Sequence, residues 1–152
     1  MNVFTPTVMS RLVLPKMLAR GSRSAVINIS SFIGEVSIPK TAVNAGSKRY
    51  VTHFTKCLAN EYFDKRIDFL AVIPGFTDTG GLSRFTFGKP ILVSQPTELV
   101  QGALKDIKIA NQIGNISYGT VKTSFFVWLL KNPITSSYFL NKIAGGTMVQ
   151  EY

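Results

Sequence analysis

The chain has 152 residues and a mass of 16.7 kDa, which is the size of one domain. It is 45% hydrophobic and 16% charged, so it can bury a core and is not an intrinsically disordered chain. The net charge of +9 suits a nucleic acid, a membrane surface or an anionic cofactor, whereas one cysteine and one histidine exclude a disulfide framework and a Cys- or His-rich metal site.

The first elements along the chain are a helix and a strand. Residues 3–20 mix apolar and basic side chains, and apolar positions such as Leu12 and Leu18 fall on one helical face. Pro15 predicts a break or kink within this helix. Residues 25–29 form a short β-rich run and predict a buried strand.

The middle of the chain predicts a second helix and a second strand. Apolar residues recur every three or four positions over residues 42–63, which indicates a long helix. Residues 67–73 predict a buried strand, which ends at Pro74 because proline cannot continue a sheet ladder. Residues 76–94 predict a long loop, and loops of this length inside a domain are often functional.

The last third predicts two helices and a short strand. A helix begins near Pro96, and residues 113–121 supply a short strand. Residues 122–145 are apolar and predict a helical tail, in which the cluster at 125–130 packs on the core, covers a pocket or touches a membrane. The first of these three is favoured. No apolar run reaches the roughly 18 residues of a membrane span, so we expect no transmembrane segment.

The order of strand, helix, strand and helix is the βαβ pattern of a parallel sheet. Two strands are too few for a stable parallel sheet, which must be covered on both faces. The chain therefore looks like the second half of a larger sheet. Its basic residues are spread out and carry no nucleic-acid signature, so we expect no nucleic-acid partner.

Three short motifs follow one another in a recognisable order: Asn-Ile-Ser-Ser at 28–31, Asn-Ala-Gly-Ser-Lys at 44–48 and Pro-Gly-Phe-Thr-Asp-Thr at 74–79. In order and spacing they resemble the short-chain dehydrogenase/reductase family. Within it they are most similar to the branch of 17β-hydroxysteroid dehydrogenases and very-long-chain 3-oxoacyl-CoA reductases. The resemblance implies an α/β fold, the C-terminal half of a Rossmann-like doubly wound parallel sheet. It predicts one partial domain over residues 1–152, without the N-terminal half that carries the family's glycine-rich loop.

The resemblance also implies a reaction and the residues that perform it. The family interconverts keto and hydroxyl groups with NADP(H), and this branch acts on steroid or long-chain acyl substrates. In the family's catalytic group, Ser31 matches the serine, Lys48 the lysine and Asn2 the asparagine that holds a water relay to the lysine. The family's tyrosine gives a proton to the substrate, and the nearby lysine favours its phenolate.

The tyrosine itself is missing from its expected place. It belongs four residues before Lys48 and thirteen after Ser31, and both counts fall on Asn44. An amide has no proton that titrates near neutrality, so Asn44 cannot act as the acid. Tyr50 points elsewhere on the helix, since six residues are about 240° at 100° per residue, and the Ser47 hydroxyl is a much weaker acid than a phenol.

The cofactor residues implied by the resemblance lie on the nicotinamide side. Lys48 matches the residue that binds the nicotinamide ribose, and Pro74, Gly75, Thr77 and Thr79 match the segment at the carboxamide end. The glycine-rich loop that binds the phosphates in the family is not found in these 152 residues. The glycine pair at 145–146 follows no predicted strand and so does not match it. We therefore expect NADP(H) to find only part of its site on this chain.

Simpler readings and a second function stand beside the catalytic one. In the simpler reading Ser31 caps a loop and has no catalytic role, and Lys48 is an ordinary solvated lysine. The alternative function is a non-catalytic remnant that binds or dimerises with a full-length relative through helix 42–63, which matches the family's dimer helix. The resemblance places the protein at the endoplasmic reticulum; a chain complete as given would be cytoplasmic.

Overall fold

The structure is a computed structural model that describes residues 1–79 and 92–138. Within them lie seven helices and strands with defined bounds, two short 3-10 helices, and helical residues at 133–138. The elements are α1 (Phe4–Arg20), β1 (Ser24–Ile29), α2 (Ala42–Glu61), β2 (Ile67–Val72), α3 (Pro96–Asp106), β3 (Ile116–Ser117) and α4 (Val121–Lys131). The 3-10 helices are Phe32–Glu35, between β1 and α2, and Ile107–Ile109, directly after α3.

The strands form a parallel sheet in the order β1-β2-β3. Ser24 pairs with Ile67 and Ile29 with Val72, so β1 and β2 run side by side over their whole lengths. The α/β fold and the parallel sheet are thus confirmed. Because the strands are parallel, the loops that follow β1 and β2 leave the sheet at the same edge.

Helices cover both faces of β2, and the strand's buried residues divide between them. Phe69, which is 1% exposed, packs with Leu58 of α2 and Leu14 of α1. Leu70 is fully buried and packs with Ala103 of α3 on the other face. Strands covered on both faces read as continuous apolar runs, which is why residues 67–73 could be recognised as a strand.

The outer strand β1 is covered on one face only. Asn28 faces α2 and donates through Nδ2 to Thr55 Oγ1 at 2.9 Å. On the opposite face Ile27 and Ile29 are 37% and 55% exposed. Among the described residues β1 pairs with β2 alone. The outer side of β1 and its face with Ile27 and Ile29 are therefore uncovered.

The first helix differs from its sequence pattern in two respects. α1 continues through Pro15 without a break. Arg11, whose carbonyl loses its hydrogen bond to a proline four residues later, is exposed, so water can satisfy that carbonyl. The face that contains Leu12 and Leu18 is exposed, and the helix packs on the core through Leu14 instead.

The remaining boundaries differ by a few residues. The helix predicted over residues 42–63 ends at Glu61, and only Ile116–Ser117 of the stretch 113–121 is a strand. The apolar tail begins as α4, with Phe126 buried in the core and Trp128 59% exposed. Most of the predicted loop 76–94, the end of the tail and the glycine pair at 145–146 lie outside the described residues. No helix in the described residues is long and apolar enough to cross a membrane.

Candidate functional site

The three motif segments meet where β1 and β2 end and α2 begins. The amide of Ser30 donates to the Val72 carbonyl at 2.8 Å, which extends the ladder past the ends of both strands. The amide of Phe32 donates to the Pro74 carbonyl at 3.0 Å. These bonds join the loop that contains Ser31 to the segment that starts at Pro74, so both candidate segments lie at one edge of the sheet.

Ser31 lies in extended backbone at the start of the 3-10 helix Phe32–Glu35. Its Oγ accepts a long hydrogen bond of 3.4 Å from the Ile33 amide, and the residue is half-buried. The capping role is therefore present in the structure. A bond of 3.4 Å is long for this type, so the hydroxyl retains most of its capacity to bind another group.

Lys48 reaches the same place from α2. Its Nζ lies 3.5 Å from the carbonyl oxygen of Ile29, the last residue of β1. Burial lowers the pKa of the Lys48 ammonium, because partial removal from water disfavours the charged form. Lys48 is thus a half-buried cation directed at the end of β1 and differs from an ordinary solvated lysine.

A hydroxyl network that the motifs did not reveal fixes the backbone of Lys48. The Ser30 hydroxyl donates to the Lys48 carbonyl at 2.7 Å and accepts from Thr52 Oγ1 at 2.8 Å. Both hydroxyl residues are buried, at 3% and 2% exposure. The spacing of Ser30, Lys48 and Thr52 along the chain follows no period. The one available signal was that a second hydroxyl residue, Ser30, stands next to Ser31.

A close approach of two backbones also positions Lys48. A side chain at Gly34 would place its Cβ 2.7 Å from the amide nitrogen of Arg49 and 2.8 Å from the carbonyl carbon of Lys48. Real Cβ atoms do not come this close to backbone atoms. The 3-10 helix therefore touches α2 directly at Lys48, and this contact requires glycine at position 34.

The tyrosine position holds an amide in an amide and hydroxyl cluster. Asn2 Nδ2 donates to Ser47 Oγ at 3.0 Å and lies 3.5 Å from Asn44 Oδ1. The Ser47 hydroxyl in turn donates to the Asn44 carbonyl at 2.7 Å. Asn2 thus contacts the position of the missing tyrosine, whereas the resemblance assigned it a water relay to Lys48.

Tyr50 is engaged elsewhere, as its angle on the helix predicts. Its hydroxyl lies 2.7 Å from Thr7 Oγ1 of α1, and its ring stacks on Phe54 with centroids 5.5 Å apart. The phenol thus helps to join α1 to α2. It does not replace the phenol that is absent at Asn44.

The segment after β2 is ordered by its own hydrogen bonds and by a residue that the sequence analysis missed. Thr77 Oγ1 donates to the Gly75 carbonyl at 3.3 Å, and Thr79 Oγ1 lies 3.5 Å from the Thr77 carbonyl. Ser94, from beyond the loop, donates its amide to Phe76 at 2.9 Å and accepts from the Asp78 amide at 3.0 Å. Ser94 was part of a predicted loop, and nothing in its neighbourhood indicated a bridge to this segment.

The profile of the short chain dehydrogenase family matches residues 1–86. The chain belongs to that family. The very-long-chain 3-oxoacyl-CoA reductase of Macaca fascicularis is 29% identical over 93% of this chain and 48% of its own length. The 17-beta-hydroxysteroid dehydrogenase type 3 of Danio rerio is 32% identical over 91% of this chain and 45% of its own. These relatives confirm the branch that the motifs resemble, and the chain spans about half their length.

A solved structure supports the Rossmann-type fold. A short-chain dehydrogenase from Burkholderia cenocepacia, crystallised with NADP, superposes with a TM-score of 0.67 at 24% identity. The match covers 91% of this chain and 54% of that one. The chain therefore has the fold of part of a short-chain dehydrogenase. Among the described residues no group of three His, Cys, Asp or Glu side chains could hold a metal ion.

Proposed function

We propose that this chain is the C-terminal part of a short-chain dehydrogenase of the keto-reducing type. Its reaction is NADP(H)-linked interconversion of a keto and a hydroxyl group on a steroid or long-chain acyl substrate, at the endoplasmic reticulum. The two relatives described above carry such substrates in their names. The observation that carries the proposal is the convergence of Ser31, Lys48 and the segment from Pro74 at one edge of the sheet.

The residues present fit the nicotinamide end of the cofactor. The half-buried Lys48 ammonium is a donor for ribose hydroxyls, and the segment 74–79 offers hydroxyl and backbone groups for the carboxamide. NADP(H) would supply or accept a hydride when bound. The Ser31 hydroxyl would donate to the substrate oxygen as negative charge develops on it.

We further propose that this chain does not catalyse that reaction. Asn44 occupies the position of the proton donor, and its amide contacts Asn2 in a cluster that contains no titrating acid. Tyr50, the nearest tyrosine along α2, is hydrogen-bonded to Thr7. The 152 residues also supply no phosphate-binding glycine loop, so cofactor affinity is expected to be weak.

The direct test follows NADPH oxidation by the purified chain with a 3-oxoacyl-CoA and with a keto steroid. We expect no turnover above the rate without protein, and none in Asn44→Tyr, since restoring the acid leaves the cofactor site incomplete. Ser31→Ala and Lys48→Met serve as controls. Turnover that either control abolishes would refute the proposed inactivity.

The open face of β1 favours a second candidate function. Ile27 and Ile29 expose apolar surface that a covering chain would bury. The chain would then be a non-catalytic partner of a second copy or a full-length relative that covers this face; pairing through α2, as the family resemblance implies, would be a separate interface on the other side of β1. Light scattering tests self-association: a mass near twice 16.7 kDa supports pairing. A monomer at all concentrations leaves only a longer relative as partner, which co-purification would have to detect.

A further inference from the structure

A cavity lies on the other side of α2 from the candidate site. It has a volume of about 820 Å³, is open to solvent, and is lined by the loop 34–39, one face of α2 and Lys131 at the end of α4. Ala42, Gly46 and Arg49 line it from α2. At about 100° per residue these three share one helical face, whereas Asn44 and Lys48 lie on the opposite face. The cavity is therefore separate from the dehydrogenase site.

Two cationic side chains at this cavity form ion pairs with one buried carboxylate. The side chain of Glu35 is 2% exposed, and its two oxygens accept from Arg49 Nη1 at 2.9 Å and from Lys131 Nζ. The two cationic side chains are 60% and 43% exposed. Glu35 thus fixes a guanidinium and an ammonium in place while their other N–H groups stay accessible. The three charges sum to +1.

The rest of the wall is apolar or has no side chain. Ile38, Pro39 and Ala42 supply apolar surface, and a Cβ at Gly46 would meet no atom within 4 Å. Glycine in a helix interior costs about 0.5–1 kcal/mol relative to alanine, and no contact in the structure compensates for this cost here. Its effect on the structure is to leave the cavity open, since Gly46 lines it.

We propose that this cavity binds a monoanion with an apolar body, such as a fatty carboxylate. A single negative charge would cancel the net charge of the Glu35, Arg49 and Lys131 cluster and accept from the free N–H groups of both cations. The apolar body would lie against Ile38 and Ala42. The volume falls within the range of about 300–1,000 Å³ that is typical of small-molecule sites.

The probe is decanoate, titrated into the full 152-residue chain and followed by amide chemical shifts. We expect saturable shifts at residues 34–49 and near Lys131. Decanol and decyltrimethylammonium match the tail but lack the negative charge, and both should bind at least tenfold more weakly. Equal binding of the three probes, or shifts confined to the open face of β1, would overturn the proposal.

Two variants separate the charge from the space. Lys131→Gln should weaken decanoate binding about three- to tenfold, whereas Lys122→Gln, on the same helix but paired with Glu98, should not change it. Gly46→Leu should weaken binding because its side chain would occupy part of the cavity beside Ala42 and Arg49, while the three charged residues stay in place. Unchanged affinity in Gly46→Leu would refute the assignment, even if the charge variants fold poorly.

Discussion

Replacing Gly34 by alanine tests the close contact that positions Lys48. The new Cβ would lie 2.7 Å from one backbone atom of α2 and 2.8 Å from another, and backbone atoms cannot rotate away as a flexible side chain can. Overpacking of this kind costs about 1–3 kcal/mol. Gly34 is not in the left-handed region, so alanine also stabilises by about 0.4–1 kcal/mol through the unfolded chain. We therefore expect a net loss of about 1–2 kcal/mol in the free energy of unfolding.

Urea unfolding of the full chain measures this loss. With a urea dependence of about 2 kcal/mol per molar, the midpoint of Gly34→Ala should fall by about 0.5–1 M. Gly46→Ala is the matched control, since Gly46 lies in α2 itself and a Cβ there would meet no atom within 4 Å. Its midpoint should rise, because alanine is favoured over glycine inside a helix by about 0.5–1 kcal/mol. If Gly34→Ala were as stable as the parent chain, the contact between the 3-10 helix and α2 would not exist as described.

Two further predictions concern the groups around Lys48. Ser30→Ala removes a buried hydroxyl that donates to Lys48 and accepts from Thr52, and it should cost about 1–2 kcal/mol in urea unfolding; the exposed Ser37→Ala should cost almost nothing. A loss in Ser30→Ala no larger than in the control would contradict the network. Burial lowers the pKa of Lys48 in the folded chain, so the unfolded chain binds more protons at pH values between the folded pKa and the unfolded pKa. The free energy of unfolding therefore rises with pH through this range, up to the unfolded pKa of about 10.4. Any gain in stability of Lys48→Met over the parent should therefore shrink as pH rises through that range; a gain that grew with pH would refute the assignment.

The sequence predicted those elements whose pattern of apolar residues reflects which of their faces are buried. Residues 67–73 read as a strand because helices cover both sides of β2. The same continuous apolar pattern at residues 25–29 led to the expectation of a buried strand, yet Ile27 and Ile29 are partly exposed. A run of apolar residues shows what a strand is suited to contact. It does not show which of those contacts lie within 152 residues.

The contacts that the sequence did not predict are single interactions between distant residues. Glu35 is the one charged residue of the segment 32–39, and its burial depends on cations from α2 and α4. The bond from Ser30 to Lys48 spans 18 residues and has no periodicity. Pro15 was expected to break or kink α1, yet the helix continues through it, since a helix that packs through Leu14 tolerates one lost hydrogen bond at an exposed carbonyl. Tertiary contacts decide such cases, and local pattern carries no record of them.

The same contacts show how the structure holds Ser31 and Lys48 in place. Lys48 is held by Ser30, by Thr52 and by the glycine contact at position 34, and each of these joins β1 to α2 whether or not a reaction takes place. Ser31 likewise begins the 3-10 helix that touches α2. These contacts hold the backbone of Lys48 and would hold any residue at that position, so they place the lysine without explaining why its side chain is an ammonium. At position 44 the side chain is exposed on the first turn of α2, and its Oδ1 lies 3.5 Å from Asn2 Nδ2. The family's acid belongs at this position, and its replacement by asparagine is the main reason for our proposal that this chain does not catalyse the reaction.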